Sequence, residues 1–135
     1  MRRGIKSLLP EFPGWSVCGE AENGQDAIRL AWELHPDVVL LDISMPGITG
    51  IDATIKIRKR DSKVKIILLT LHDSQDLIQR AFHAGVNGYL LKADAEGELT
   101  RALEAVASDR TYLSPRIDRD SVKNLIRNPV GTSPA

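Results

Sequence analysis

Three polar residues of unlike chemistry each stand directly after an apolar run: Asp42 after Val38-Val39-Leu40-Leu41, Thr70 after Ile66-Ile67-Leu68-Leu69, and Lys92 after Tyr89-Leu90-Leu91. Short continuous apolar runs bounded by turn signals, such as Pro36 before the first and Pro46-Gly47 after it, read as strands covered on both faces, as in parallel sheets. Parallel strands would deliver the acid, the hydroxyl and the ammonium to a common rim. In open α/β sheets reacting groups sit in the crevice outside the carboxyl ends of the strands. A carboxylate beside a lysine is stabilised as the anion, available as a nucleophile or metal ligand. A nearby hydroxyl can donate to a phosphoryl oxygen, and the lysine can neutralise it as a point charge. Asp42 alone reads equally as a helix N-cap or loop acid. For the trio, the plain alternative is a buried Asp42–Lys92 ion pair with Thr70 as an ordinary strand residue.

The elements that must position these residues alternate along the chain, which argues for a parallel sheet with helices on its faces. Ile5, Leu8 and Leu9 make a short helical stripe ended by Pro10, and Trp15 to Gly19 reads as a strand. Asn23-Gly24 is a turn signal; Ala27, Ile28, Ala31 and Leu34 then recur at helical spacing until Pro36. The next helix is expected from Ile51 to about Arg60, with Ile51 and Ile55 inward and Lys56, Lys59 and Arg60 in solvent. Leu77, Ile78, Ala81 and Phe82 form a helical stripe closed by Gly85 as a left-handed C-cap. Strands at Lys65 to Thr70 and Gly88 to Leu91 flank it. Leu99, Ala102, Leu103 and Val106 follow the amphipathic helix pattern. The domain is expected over residues 1–113. Residues 114–135 read as a linker-like tail, in which Arg116, Arg119, Lys123 and Arg127 alternate with Val122, Leu125 and Ile126 as a short amphipathic helix.

A chain of 135 residues with 42% hydrophobic content has material for one domain and one core. Lys plus Arg equals Asp plus Glu at 18 each, so bulk charge points to neither nucleic acid nor an anionic membrane. Cys18 is the single cysteine, which excludes an intramolecular disulfide, offers no thiolate cluster and reads as a small core residue. Arg2 and Arg3 precede an apolar stretch that stops at Leu9-Pro10, too short for a signal peptide, and no segment approaches membrane-spanning length. A cytoplasmic location is the expectation. His35, His72 and His83 lack close metal-ligand spacing; His35 beside Pro36 reads as a helix-end residue, and Glu20 and Glu22 as turn and helix-start residues.

Taken as an ordered set, several segments resemble the receiver domain of bacterial two-component response regulators, most closely the NarL/FixJ-type class. They are Gly19-Glu20-Ala21-Glu22-Asn23-Gly24, Pro36-Asp37-Val38-Val39-Leu40-Leu41-Asp42, Met45-Pro46-Gly47-Ile48-Thr49-Gly50, Ile67-Leu68-Leu69-Thr70, and Ala84-Gly85-Val86-Asn87-Gly88-Tyr89-Leu90-Leu91-Lys92. The resemblance implies a flavodoxin-like (CheY-like) three-layer α/β sandwich. It implies that Asp42 is the phosphoacceptor for a sensor histidine kinase, that Thr70 and Lys92 read the acyl phosphate, and that Tyr89 is the aromatic switch. Ser44 would offer its backbone carbonyl to Mg²⁺, and Ser44 and His72 would tune loss of the phosphoryl group. After phosphorylation Thr70 would be drawn inward and Tyr89 would fill the vacated space; the plain alternative for Tyr89 is a half-buried strand aromatic. Such a domain is a signalling switch, not an enzyme in the ordinary sense.

Two departures accompany the resemblance. Receivers begin with a strand ending in adjacent acids, and Met1-Arg2-Arg3-Gly4-Ile5 matches the interior of the following helix, so the first strand is expected to be missing from the chain as given. Loss of the acidic pair would weaken Mg²⁺, which is usually held by one or two carboxylates with phosphate and water. After Ser114-Pro115 about twenty residues remain, too few for the helix-turn-helix module that many such regulators carry, so direct DNA binding is not expected. The output partner would lie outside this chain; pairing of two copies is left open. The alternatives are a degenerate or truncated receiver acting as a phosphorylation-independent interaction module, and a small flavodoxin-like cofactor enzyme, for which a glycine-rich phosphate loop is lacking.

Overall fold

The computed structural model describes Trp15 and residues 19–44, 47–115 and 117. The helix expected around Ile5, Leu8 and Leu9, the strand body beyond Trp15 with Cys18, and the amphipathic tail past Ile117 lie outside the described residues. The elements are α1 (Gly24–Leu34), β1 (Val38–Asp42), α2 (Gly50–Arg58), β2 (Lys65–Thr70), α3 (Gln75–Ala84), β3 (Gly88–Leu91), α4 (Ala95–Ala107) and β4 (Tyr112–Leu113), with a 3₁₀ turn at Lys92–Asp94. Among the described residues the sheet has the order β1-β2-β3-β4, with every neighbouring pair parallel. β4 was not expected from the sequence, because two residues after a helix are too short to show a strand period.

Local chemistry sets the helix ends. Asn23, Thr49 and Ser74 cap α1, α2 and α3 by accepting the backbone N–H of Asp26, Asp52 and Leu77. Gly85 closes α3 at φ 112°, and His35 closes α1 in the left-handed region at φ 48°. The strands carry alternating side chains to two cores. Val39, Leu41, Ile66, Leu68, Tyr89 and Leu91 face α1, α2 and α3, whereas Val38, Leu40, Ile67, Leu69 and Leu90 face α4. The result is a three-layer α/β sandwich, as the apolar runs implied.

Two inward assignments are corrected. Ile55 is 43% exposed, and Ala53, Thr54 and Ile57 take the buried side of α2; Leu34 is 41% exposed at the end of α1.

Two features fix how helices meet the sheet. A Cβ on Gly50 would lie 2.7 Å from Leu68 Cδ1 and 2.9 Å from the Asp42 carbonyl oxygen, so only glycine lets α2 start this close to the end of β1. At the other end of the sheet, the Arg58 guanidinium donates to the carbonyls of Gly85, Asp61 and Val64 and to Asn87 Oδ1, which also accepts Ile66 N–H. Burial pulls the Arg58 pKa below its ordinary value, and the charge of Asp61 opposes this. Asp61 itself is held below the usual carboxylate range: burial would raise it, but the Lys63 and Val64 N–H groups and Arg58 prevail.

Arg58→Lys replaces a fork reaching four acceptors with one ammonium and should lower stability by about 2 kcal/mol. The readout is a lower urea midpoint at unchanged slope; an unaltered midpoint would contradict the role given to the fork. Gly50→Ala should cost about 1–3 kcal/mol by overpacking, seen as a lowered thermal midpoint with amide shifts at Asp42 and Ile43. A variant as stable as the parent would show that α2 can retreat without penalty.

Candidate functional site

β1, β2 and β3 end at one rim of the sheet. The register sets Asp42 opposite Leu69 and Thr70 opposite Leu91, so Asp42, Thr70 and Lys92 leave three adjacent strands at nearly the same level. Lys92 Nζ lies 2.6 Å from Asp42 Oδ2, with the two side chains 31% and 35% exposed. Asp42 Oδ1 accepts the Ser44 backbone N–H at 2.9 Å. Asp42 therefore does not cap the following helix, a task taken by Thr49. The acid is held by one ammonium and one amide, and it faces solvent on its remaining side.

Strand alternation distributes the polar groups to two sides of this rim. Asp42 and Lys92 share the parity of Leu40 and Leu90, on the α4 side; Thr70 shares that of Ile66 and Leu68, on the α3 side, together with Tyr89. Thr70 is fully buried, and its Oγ1 accepts the His72 N–H at 3.0 Å. Tyr89 is also fully buried, and its hydroxyl donates to the His72 carbonyl at 2.8 Å. One exposed residue, His72, thus ties the threonine and the tyrosine together through its backbone. Burial pushes the Tyr89 phenol above its ordinary value; a hydrogen bond with the Thr70 side chain opposes this, and the charge of Asp73 adds to it.

The site residues expected from sequence fall into two groups. Asp42 and Lys92 are in direct contact, and Ser44 reaches Asp42 through its amide. Thr70, Tyr89 and His72 form a second set. Tyr89 is fully buried and not a half-buried strand aromatic, and the His72 carbonyl accepts its hydroxyl inside the core. The Ser44 and His72 side chains stand exposed beside these groups. Sequence reading missed Ser114, whose buried hydroxyl accepts Leu91 N–H at 2.8 Å. A serine before proline resembles ordinary linker, and only the short β4 betrays it.

Among the described residues no group of three or more His, Cys, Asp or Glu side chains is placed to hold a metal ion. At the rim, Asp42 is the acid in contact with Lys92, and each of its oxygens already has a partner. Mg²⁺ is held by one or two carboxylates with substrate phosphate and water. The described side chains by themselves do not form a resident site for it. No described helix is long and apolar enough to cross a membrane.

Comparison with known proteins places this geometry. The response regulator receiver domain family matches residues 1–104. The chain is 33% identical over 134 residues to the response regulator GacA of Pseudomonas viridiflava, covering 99% of this chain and 63% of that protein. It is 38% identical over 134 residues to the response regulator UvrY of Escherichia coli, covering 99% of this chain and 62% of UvrY. It thus spans less than two thirds of the length of these curated relatives. A solved two-component response regulator of the LuxR family from an Aurantimonas species superposes with a TM-score of 0.74 at 36% identity, covering 85% of this chain and 79% of the other. The isolated REC domain of RcsB from Salmonella enterica serovar Typhimurium, in the presence of phosphomimetic BeF3-, gives 0.67 at 27% identity, with 82% and 79% covered. The parallel sheet, the acid and lysine meeting at its rim, and these matches agree that the chain belongs to the response regulator receiver domain family.

Proposed function

We propose that the chain is a phosphorylation-controlled switch that accepts a phosphoryl group on Asp42 from a sensor histidine kinase. The observation that carries this reading is the Asp42 carboxylate at the end of β1 with the Lys92 ammonium 2.6 Å away. An Asp42 oxygen attacks the phosphorus of a phosphohistidine. The P–O bond forms as the P–N bond breaks, and the bonding pair returns to the imidazole nitrogen. Phosphoryl transfer asks little of a protein beyond alignment and cancellation of oxygen charge. Lys92 supplies that cancellation by passing from the carboxylate to a phosphoryl oxygen. The pair is about one-third exposed on both sides, so its attraction is modest and the exchange is accessible.

The added charge then acts on the second set of groups. Phosphoryl oxygens are strong acceptors and draw the Thr70 O–H, whose oxygen also accepts the His72 N–H. Moving Thr70 disturbs the hydrogen bonds that hold His72 and Tyr89 together, which alters the surface beside them. Ser44 and His72, exposed at the edge of the rim, are placed to modulate attack by water on the acyl phosphate. The chain acts in the cytoplasm on this reading, and its output partner is supplied outside the described domain.

Incubation with a small phosphodonor such as acetyl phosphate, with and without Mg²⁺, tests the acceptor directly. One hydroxylamine-sensitive label is expected, falling to background in Asp42→Asn. Lys92→Ala should slow labelling at least about tenfold by removing a charge aimed at the phosphoryl oxygens. Equal labelling of Asp42→Asn, or a label that resists hydroxylamine, would point instead to a phosphorylation-independent interaction module.

A further inference from the structure

β4 ends where the chain leaves the sheet, and the last hydrogen bond of the ladder is made in an unusual way. Tyr112 N–H donates to the Asn87 carbonyl and Ser114 N–H to the Tyr89 carbonyl, each at 3.0 Å. Parallel ladders are evenly spaced, so the Leu91 N–H would next meet the carbonyl of Ser114. That carbonyl is turned away: it accepts the Ile117 N–H at 3.0 Å, closing a turn. The Ser114 side chain takes its place, with Oγ accepting Leu91 N–H at 2.8 Å. Ser114 is fully buried, so water offers Leu91 no alternative acceptor.

The consequences run in both directions from this residue. Leu91 immediately precedes Lys92, and Tyr89 lies one ladder step earlier, so Ser114 is bonded to β3 between the aromatic ring and the lysine. Ile117, seated by the same turn, is 5% exposed and belongs to the same apolar cluster as Tyr89 and Leu91. Movement at the rim and the path of the chain beyond Pro115 therefore share one buried hydroxyl and one turn. A contiguous, two-ended contact of this kind gives a route by which a site and a following segment can be coupled.

We propose that Ser114 is a positioning residue: its hydroxyl fixes the end of β3 that presents Lys92 to Asp42, and its carbonyl seats Ile117 in the apolar cluster that holds Tyr89, so that phosphorylation at the rim alters the chain that follows. This rests on Asp42 being the phosphoacceptor. The test uses the full chain, with Ser114→Ala, with Ser114→Cys, which keeps the volume but is a weak acceptor, and with Ser114→Thr, which keeps the hydroxyl. Three quantities are read: Leu91 amide exchange by NMR, acetyl phosphate labelling of Asp42, and the change in tryptic cleavage after Arg119 on adding the phosphodonor. The alanine and cysteine variants should still label, yet exchange Leu91 about tenfold faster, the equilibrium value of one net hydrogen bond. They should also lose the cleavage response, which the threonine variant retains. Should the alanine variant not fold, the cysteine variant decides alone. Unchanged Leu91 exchange, a persisting cleavage response in the variants, or a labelled wild type with no such response overturns the role of Ser114. A wild type that takes no label on Asp42 instead overturns the acceptor reading, and this coupling with it.

Discussion

The fold depends on a sheet buried on both faces. Val38 to Leu41, Ile66 to Leu69 and Tyr89 to Leu91 have almost no contact with solvent, because α1, α2 and α3 cover one side and α4 the other. Such strands leave no room for a polar side chain until they end. The chemistry of the molecule is therefore displaced to the rims, and parallel pairing puts every carboxyl end at the same rim. The same alternation that builds two cores also divides the rim. The charged pair lies on the α4 side, and the hydroxyl pair lies on the α3 side.

This division gives the two pairs different physical characters. Asp42 and Lys92 are partly solvated, so their attraction is screened and reversible. Thr70 and Tyr89 are wholly buried; the Thr70 oxygen accepts the His72 N–H, and the Tyr89 hydroxyl donates to the His72 carbonyl. Breaking a buried hydrogen bond is costly unless another partner arrives, so on the reading proposed above the second pair acts as a two-state element. A ligand shifts such an element only by as much as it prefers one arrangement over the other. On that reading the phosphoryl group has such a preference, since it brings acceptors for the Thr70 O–H.

Much of this was legible in the sequence, and the reasons are specific. Apolar runs bounded by Pro36, Pro46-Gly47 and Gly85 announced buried parallel strands, and the unlike residues ending them announced the rim. Helical stripes were read well where the helix presses closely on the sheet, as with Leu99, Ala102, Leu103 and Val106, all buried. They were read poorly where an aliphatic residue sits at the margin of the stripe, as with Ile55 and Leu34. Arg58, Asn87 and Ser114 gave no signal, because what they do depends on carbonyl and amide groups brought together from distant segments. For Tyr89 the sequence shows an aromatic in a buried strand, but not that a backbone carbonyl awaits its hydroxyl.

Arg58 gives the molecule unequal ends. Val64 precedes β2 and Gly85 and Asn87 precede β3, and a single guanidinium gathers all of them at the base where these strands enter the sheet. At the opposite end the loop after β2 carries Leu71 at 72% exposure, and the His72 backbone bonds Thr70 and Tyr89 there. The roots of β2 and β3 are therefore tied together by one side chain through several hydrogen bonds, whereas at the tips β1 and β3 are linked by a partly solvated ion pair. A change of charge at the mouth of the sheet meets a weaker tether than it would at the base.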